Sequence, residues 1–213
     1  MAIHQFEIGN HRNFIYLIES NGQAVVVDPQ RDLGPWVNLL EERGTKLVGC
    51  VLTHTHWDHV AGVADTVRRF NVPVWVHLLD EHRLATEPVL VARAVRHLDP
   101  AVPLMVGNLV IETIHAPGHS AGEVCLLVKE PGEGPWSLLT GDMLFVGDCG
   151  RTDLPTGDVG QMFHTLQRLK ELPDDTVIYP GHNYGVTPTS TLSHEKNHSP
   201  PFLCKTVEEL DAL

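Results

Sequence analysis

Short runs of valine, leucine and isoleucine recur along the chain, and most end on glycine, proline or a charged residue. Residues 14–18 and 24–27 flank Ser20-Asn21-Gly22-Gln23, a turn sequence, and predict a hairpin whose second strand stops at Asp28-Pro29. Residues 36–43 carry helical spacing at Trp36, Val37, Leu39 and Leu40 and stop at Gly44. A strand is predicted over 47–52, a helix over 60–70 with Val63, Val67 and Phe70 on one side, and a short strand over 72–76. The stretch 80–103 mixes helical patterning (Val89, Val91, Ala92, Val95) with boundaries at Pro88 and Pro100. It reads as an insertion over the functional site. Strands resume at 109–111, 124–128 and 137–140, with Pro131-Gly132-Glu133-Gly134-Pro135 as a turn. An amphipathic helix over 161–172 shows Met162, Leu166 and Leu169 on one face, and 176–179 is the last predicted strand. The two halves share a layout of strands followed by a helix, which fits two packed sheets with helices outside.

Composition narrows the function classes. The 213 residues carry a net charge of −12, with 15 Lys+Arg against 27 Asp+Glu. That balance argues against a nucleic-acid surface, which needs a basic face. Cys50, Cys125, Cys149 and Cys204 form no C-x-x-C pair, and Cys50 and Cys125 fall in apolar runs as buried thiols. The start, Met1-Ala2-Ile3-His4-Gln5-Phe6, has no secretory pattern, and no apolar run reaches membrane-spanning length. The expectation is a soluble, cytoplasmic protein with reduced thiols and no membrane partner.

The 14 histidines change the picture most. Thr53-His54-Thr55-His56-Trp57-Asp58-His59 places three imidazoles and a carboxylate at the end of a predicted buried strand. Histidine and aspartate hold zinc, manganese or iron at open catalytic sites. Turned inward, such a cluster repels and desolvates itself unless a cation holds it. Three later sites repeat the grammar of a strand end, a glycine-containing turn and a ligand residue: Pro117-Gly118-His119, Thr140-Gly141-Asp142 and Pro180-Gly181-His182. G-x-S-x-G is absent, which argues against a serine hydrolase.

The order H-x-H-x-D-H, then His, Asp and His, resembles the metallo-β-lactamase superfamily over most of the chain. The resemblance implies an α/β fold, an αββα sandwich of two mixed sheets, as one domain over 1–213. It implies His54, His56 and His119 at one metal site, Asp58, His59 and His182 at the other, and Asp142 bridging. The cofactors are then two divalent metals, zinc with iron or manganese as alternatives. Asp58 also takes a catalytic role, orienting the metal-bound hydroxide that attacks a carbonyl.

Within the superfamily residues 54–59 (Trp57 included), 150–158 and 190–196 resemble glyoxalase II-like thioester hydrolases, the last two segments those of the short form without a C-terminal helical domain. These cleave S-acylglutathione or a similar thioester with water. By the same resemblance Arg151 and Tyr184 bind the substrate. Arg151 has a second reading as the ion-pair partner of Asp153 or Asp148. An alternative activity also has its signals. Cys149-Gly150-Arg151-Thr152-Asp153, Asp28-Pro29-Gln30-Arg31-Asp32 and the stretch 179–191 resemble persulfide dioxygenases, with Trp57 as the main departure; the resemblance implies a single Fe(II) on His54, His119 and Asp142 and glutathione persulfide as substrate. A β-lactamase or a non-catalytic metal protein would share the ligands; a β-lactamase is expected to be secreted, and ligand loss usually marks the non-catalytic fate. The oligomeric state stays open, a homodimer included.

Overall fold

The computed structural model describes residues 2–85, 95–129, 132 and 134–213. The first sheet begins with β1 (Ala2–Ile8), β2 (Asn13–Ser20) and β3 (Gln23–Val27), all antiparallel neighbours. The predicted hairpin is β2–β3, and its turn residues Asn21 and Gly22 take φ of 50° and 72°. Two-residue hairpin turns need that hand, and Asn-Gly adopts it at low cost. From β3 the sheet grows in parallel through β4 (Lys46–Val51), β5 (Val74–Val76) and β6 (Val95–His97). Parallel neighbours require crossovers. α1 (Gly34–Arg43) supplies the first and ends, as predicted, at Gly44 in the left-handed conformation. α2 (Trp57–Val60) and α3 (Val63–Phe70) lie in the second.

The second sheet contains β7 (Leu104–Val106), β8 (Leu109–His115), β9 (Val124–Lys129), β10 (Ser137–Gly141), β11 (Val177–Pro180) and β12 (Ser190–Thr191). Its spatial order is β12-β11-β10-β9-β8-β7. α4 (Val159–Leu169) makes the crossover between parallel β10 and β11. Asp158 caps α4 by accepting a hydrogen bond from Gln161 N, satisfying one of the orphan donors of the first turn. Helices α5 (Leu192–His198), α6 (Pro200–Leu203) and α7 (Val207–Asp211) follow.

Three apolar layers hold these elements in an αββα sandwich. On β2, Ile15 and Leu17 face the helices and pack with Trp36, Leu40, Val63 and Val67. Phe14, Tyr16 and Ile18 face the other sheet and meet Leu109, Ile111, Val124 and Leu126. On the far side Cys125, Leu127 and Leu138 pack under Met162, Leu166 and Leu169 of α4. A strand covered on both faces reads as a continuous apolar run, and this is why 14–18 does not alternate. Each fully buried Leu, Ile or Val contributes roughly 1.5–3 kcal/mol.

Two expectations change: the unbroken helix over 60–70 and the helical reading of Val95. The helix predicted over 60–70 is broken between α2 and α3 at Ala61-Gly62. There Gly62 N donates to Pro29 O at 2.8 Å, and a Cβ on Gly62 would lie 2.1 Å from Gln30 O. The close approach of the 29–30 loop, invisible in local periodicity, sets the break. In the 80–103 stretch, Val95 belongs to a strand, and Leu78–Leu84 forms a 3-10 helix. Val89, Val91 and Ala92 lie outside the described residues, as do Pro131 and Glu133 of the predicted turn. β1, β7, β12 and helices α5 to α7 have no sequence prediction; they are edge strands or short helices with mixed polarity. No helix among the described residues is long and apolar enough to cross a membrane.

Candidate metal centre

The site is built where strands of both sheets end. β4 gives way to Leu52 and Thr53, and Val124 N donates to Thr53 O at 2.9 Å, joining the loop to β9 of the second sheet. Three buried carboxylates then fix the turns. Asp28, at the end of β3, accepts from Thr53 N at 2.8 Å and from Thr53 Oγ1 at 2.5 Å, and its Oδ2 lies 3.0 Å from His59 Nδ1. Asp80 of the 3-10 helix accepts from Thr55 N at 3.3 Å, Ser120 Oγ at 2.8 Å and Gly122 N at 2.9 Å. It ties the loop carrying His54 and His56 to the loop carrying His119. Glu123 Oε1 accepts from Asp142 N at 2.7 Å. Sequence reasoning assigned none of these three a role.

All seven expected donors meet. One donor atom from each of His54, His56 and His119 falls within a 4.8 Å group, and so does one from each of Asp58, His59 and His182. Asp142 lies between the groups: Oδ2 is 3.5 Å from His119 Nε2 and 3.3 Å from His182 Nε2, and Oδ1 is 3.4 Å from His59 Nε2. The glycine-turn grammar has a geometric cause here. A Cβ on Gly181 would lie 2.3 Å from Asp142 Oδ1, so only glycine admits this approach.

Backbone and carboxylate acceptors orient the rings. His119 Nδ1 faces Arg151 O at 2.7 Å, His182 Nδ1 faces His11 O at 2.8 Å, and His59 Nδ1 faces Asp28. With Nδ1–H donated outward, the neutral form of each ring aims its Nε2 lone pair inward. His56 presents the opposite nitrogen: its Nδ1 lies 2.7 Å from His119 Nε2. His59 Nε2 lies 3.2 Å from His182 Nε2, and His54 Nε2 and Asp142 Oδ1 are buried without a hydrogen-bond partner. Converging lone pairs without donors are costly, and cations relieve that cost, so the donor set fits metal. Asp28, His54 and His59 also form a compact trio. Asp28 is already engaged with Thr53 and with the outer nitrogen of His59, so it supports the site rather than adding a donor.

Burial sets the electrostatics. It drives His54 well below the usual histidine range, and neighbouring His59 adds to the effect. Burial, then the neighbours His119 and Arg83, hold His56 down to about 4. Burial also lowers His119. These rings are neutral and ready to ligate at pH 7. His59 goes the other way: burial opposes its charge, but Asp142 and Asp28 raise it well above the usual range. Asp142 is correspondingly held low against its burial by His59 and His182.

The donors open onto a cleft of about 1050 Å³ lined also by Trp57, Leu84, Cys149 and Leu154. Tyr184 is 52 % exposed and stacks on His182 with centroids 4.6 Å apart. Arg151 also lines the cleft, but its guanidinium makes a two-pronged pair with Asp153, 2.6 Å on each side. Of its two sequence readings, the ion pair with Asp153 is the one formed in this structure.

An αββα sandwich with histidine and aspartate clusters at its strand ends defines a class of metalloprotein. The chain belongs to the metallo-beta-lactamase superfamily, whose family model matches residues 8–182. It is 36 % identical over 203 residues to a hydroxyacylglutathione hydrolase of Tolumonas auensis, covering 94 % of this chain and 73 % of that one. Among the curated hydroxyacylglutathione hydrolases it matches, it spans 61 % to 73 % of their length. ETHE1 from Myxococcus xanthus superposes with a TM-score of 0.82 at 28 % identity, covering 99 % of this chain and 88 % of that one. TTHA1623, solved in a di-iron-bound form, gives 0.75 at 32 % identity, covering 92 % and 98 %. These relatives support a metallo-hydrolase of the superfamily.

Proposed function

We propose that the chain is a thioester hydrolase of the glyoxalase II type, acting on an S-acylglutathione or a similar thioester. The observation that carries this reading is the position of Asp142, its two oxygens within 3.5 Å of His59, His119 and His182, between two three-residue donor groups. His54, His56 and His119 would hold one divalent cation, and Asp58, His59 and His182 the other, with Asp142 shared. Zinc, iron and manganese all suit this set. When bound, such cations lower the pKa of a water to near neutrality and polarise a carbonyl. The chain's own residues do the rest. Asn13 Nδ2 donates to Asp58 Oδ2 at 3.1 Å, aiming that carboxylate inward to accept a proton and orient water. Tyr184, stacked on His182 at the open side, and Arg151 at the rim would contact the thiol half of the substrate. Similarity to hydroxyacylglutathione hydrolases supports the substrate class.

A second reading is favoured by one feature. Cys149, Gly150 and Arg151 line the cleft, and their segment resembles persulfide dioxygenases. His54, His119 and Asp142 would then hold a single Fe(II). Two assays on metal-loaded protein separate the readings. Thiol release from S-acetylglutathione is expected for the hydrolase. Oxygen uptake with sulfite formation from glutathione persulfide, without thioester cleavage, overturns it.

A further inference from the structure

Arg83 differs from the ion-paired arginines of the chain. Arg12, Arg43, Arg69 and Arg151 pair with Glu7, Glu19, Glu41 and Asp153 respectively. Arg83 is half-buried and lines the cleft beside His56. Its Nη2 donates to Pro155 O at 2.9 Å and lies 3.4 Å from Thr156 Oγ1. Its Nη1 is buried and has no hydrogen-bond partner. Among the described residues no carboxylate pairs with it, in a chain with a net charge of −12.

The turn that grips Arg83 is itself strained. Thr156 takes φ of 75°, a region that β-branched residues avoid. Gly157 N donates to Leu154 O at 2.8 Å and closes the turn, and Thr156 Oγ1 also accepts from Ala121 N at 3.4 Å. Strain of this kind persists where the surrounding structure over-determines it, often at a ligand clamp. A guanidinium held along one edge, with the other edge buried and unmatched, is costly until an anion completes it. Carboxylates match that geometry best.

We propose that Arg83 anchors a carboxylate carried by the substrate, in the cleft beside the candidate centre. The inference rests on the thioester reading for the identity of the molecule. The carboxylate belongs either to the thiol half, as in glutathione, or to the acyl half. Arg31 lines the same cleft without an ion-pair partner among the described residues and adds to its positive field. Arg151, neutralised by Asp153, contributes less.

Calorimetric titration of metal-loaded protein with S-methylglutathione and, separately, with succinate tests the proposal. At least one probe is expected to bind, more weakly as salt is added. Arg83→Gln should weaken that binding about 10- to 100-fold, and Arg83→Lys should retain part of it. Loss confined to S-methylglutathione places the carboxylate on the thiol half; loss confined to succinate places it on the acyl half. Failure of both probes to bind wild type, or equal affinity in wild type and Arg83→Gln, overturns the proposal. Should Arg83→Gln not fold, an affinity indifferent to both Arg83→Lys and salt overturns it equally. Titration reads binding without turnover. A protein that binds these probes through Arg83 but cleaves no thioester therefore retires the thioester reading alone.

Discussion

The metal-donor cluster and the cleft rim are neighbours built on opposite principles. Each donor turn is braced: Asp28 holds Thr53 and His59, Asp80 holds Thr55, Ser120 and Gly122, and Glu123 holds the backbone of Asp142. His54 and His59 are fully buried. At the rim, Trp57 is 66 % exposed and Tyr184 is held chiefly by stacking on His182 and an edge-to-face contact with Phe145. Braced donors preserve one chemistry, whereas an exposed rim can change substrate at little cost to the fold.

The largest losses are expected at the donors. Asp142→Ala, His56→Ala and His59→Ala should each cut thioester hydrolysis by more than about 100-fold, beyond the range for supporting residues. Rates at matched metal loading check this. His182→Ala discriminates the two readings: in a two-cation hydrolase it removes one site, whereas a mono-iron dioxygenase keeps most of its iron. Metal analysis of the purified variant reads the difference directly.

One step outward, Asp28→Asn keeps the shape of the brace but weakens its hold on His59. Metal affinity should drop about 10- to 100-fold while the fold survives, measured by competition with a chelator. Acid should act in the same place. His56, held down to about 4, and the lowered His54 and His119 stay neutral in the folded chain while the unfolded chain protonates them. Their contribution to stability is present above the unfolded histidine pKa of about 6.5 and is lost as pH falls toward 4. The raised His59 works in the opposite sense; with three lowered rings against it, melting of metal-free protein at pH 7, 5.5 and 4 should show a falling midpoint, and a rising one contradicts the assignment. The smallest effects belong to the rim. Tyr184→Ala should raise KM a few-fold with kcat nearly unchanged, as expected for binding shared by ground and transition states.

The same division explains what the sequence discloses. Buried strands between two covered faces announce themselves as unbroken apolar runs, so 14–18, 24–27 and 124–128 are legible. Seven donors are legible because histidines crowd at strand ends with glycine beside them. Asp28, Asp80 and Glu123 are not, because a bracing carboxylate is defined by partners distant in sequence: Asp80 meets Ser120 and Gly122. The break at Gly62 hides for the same reason, being imposed by the 29–30 loop. Arg83 escapes notice since nothing local marks an arginine whose partner is missing.

Thiol release from S-acetylglutathione by protein carrying two metal equivalents decides whether the centre is a thioester hydrolase. One thiol per thioester consumed is expected, abolished by chelation and by His59→Ala, and restored to the wild type by added metal. Intact thioester in the presence of a fully metal-loaded, folded protein contradicts that expectation.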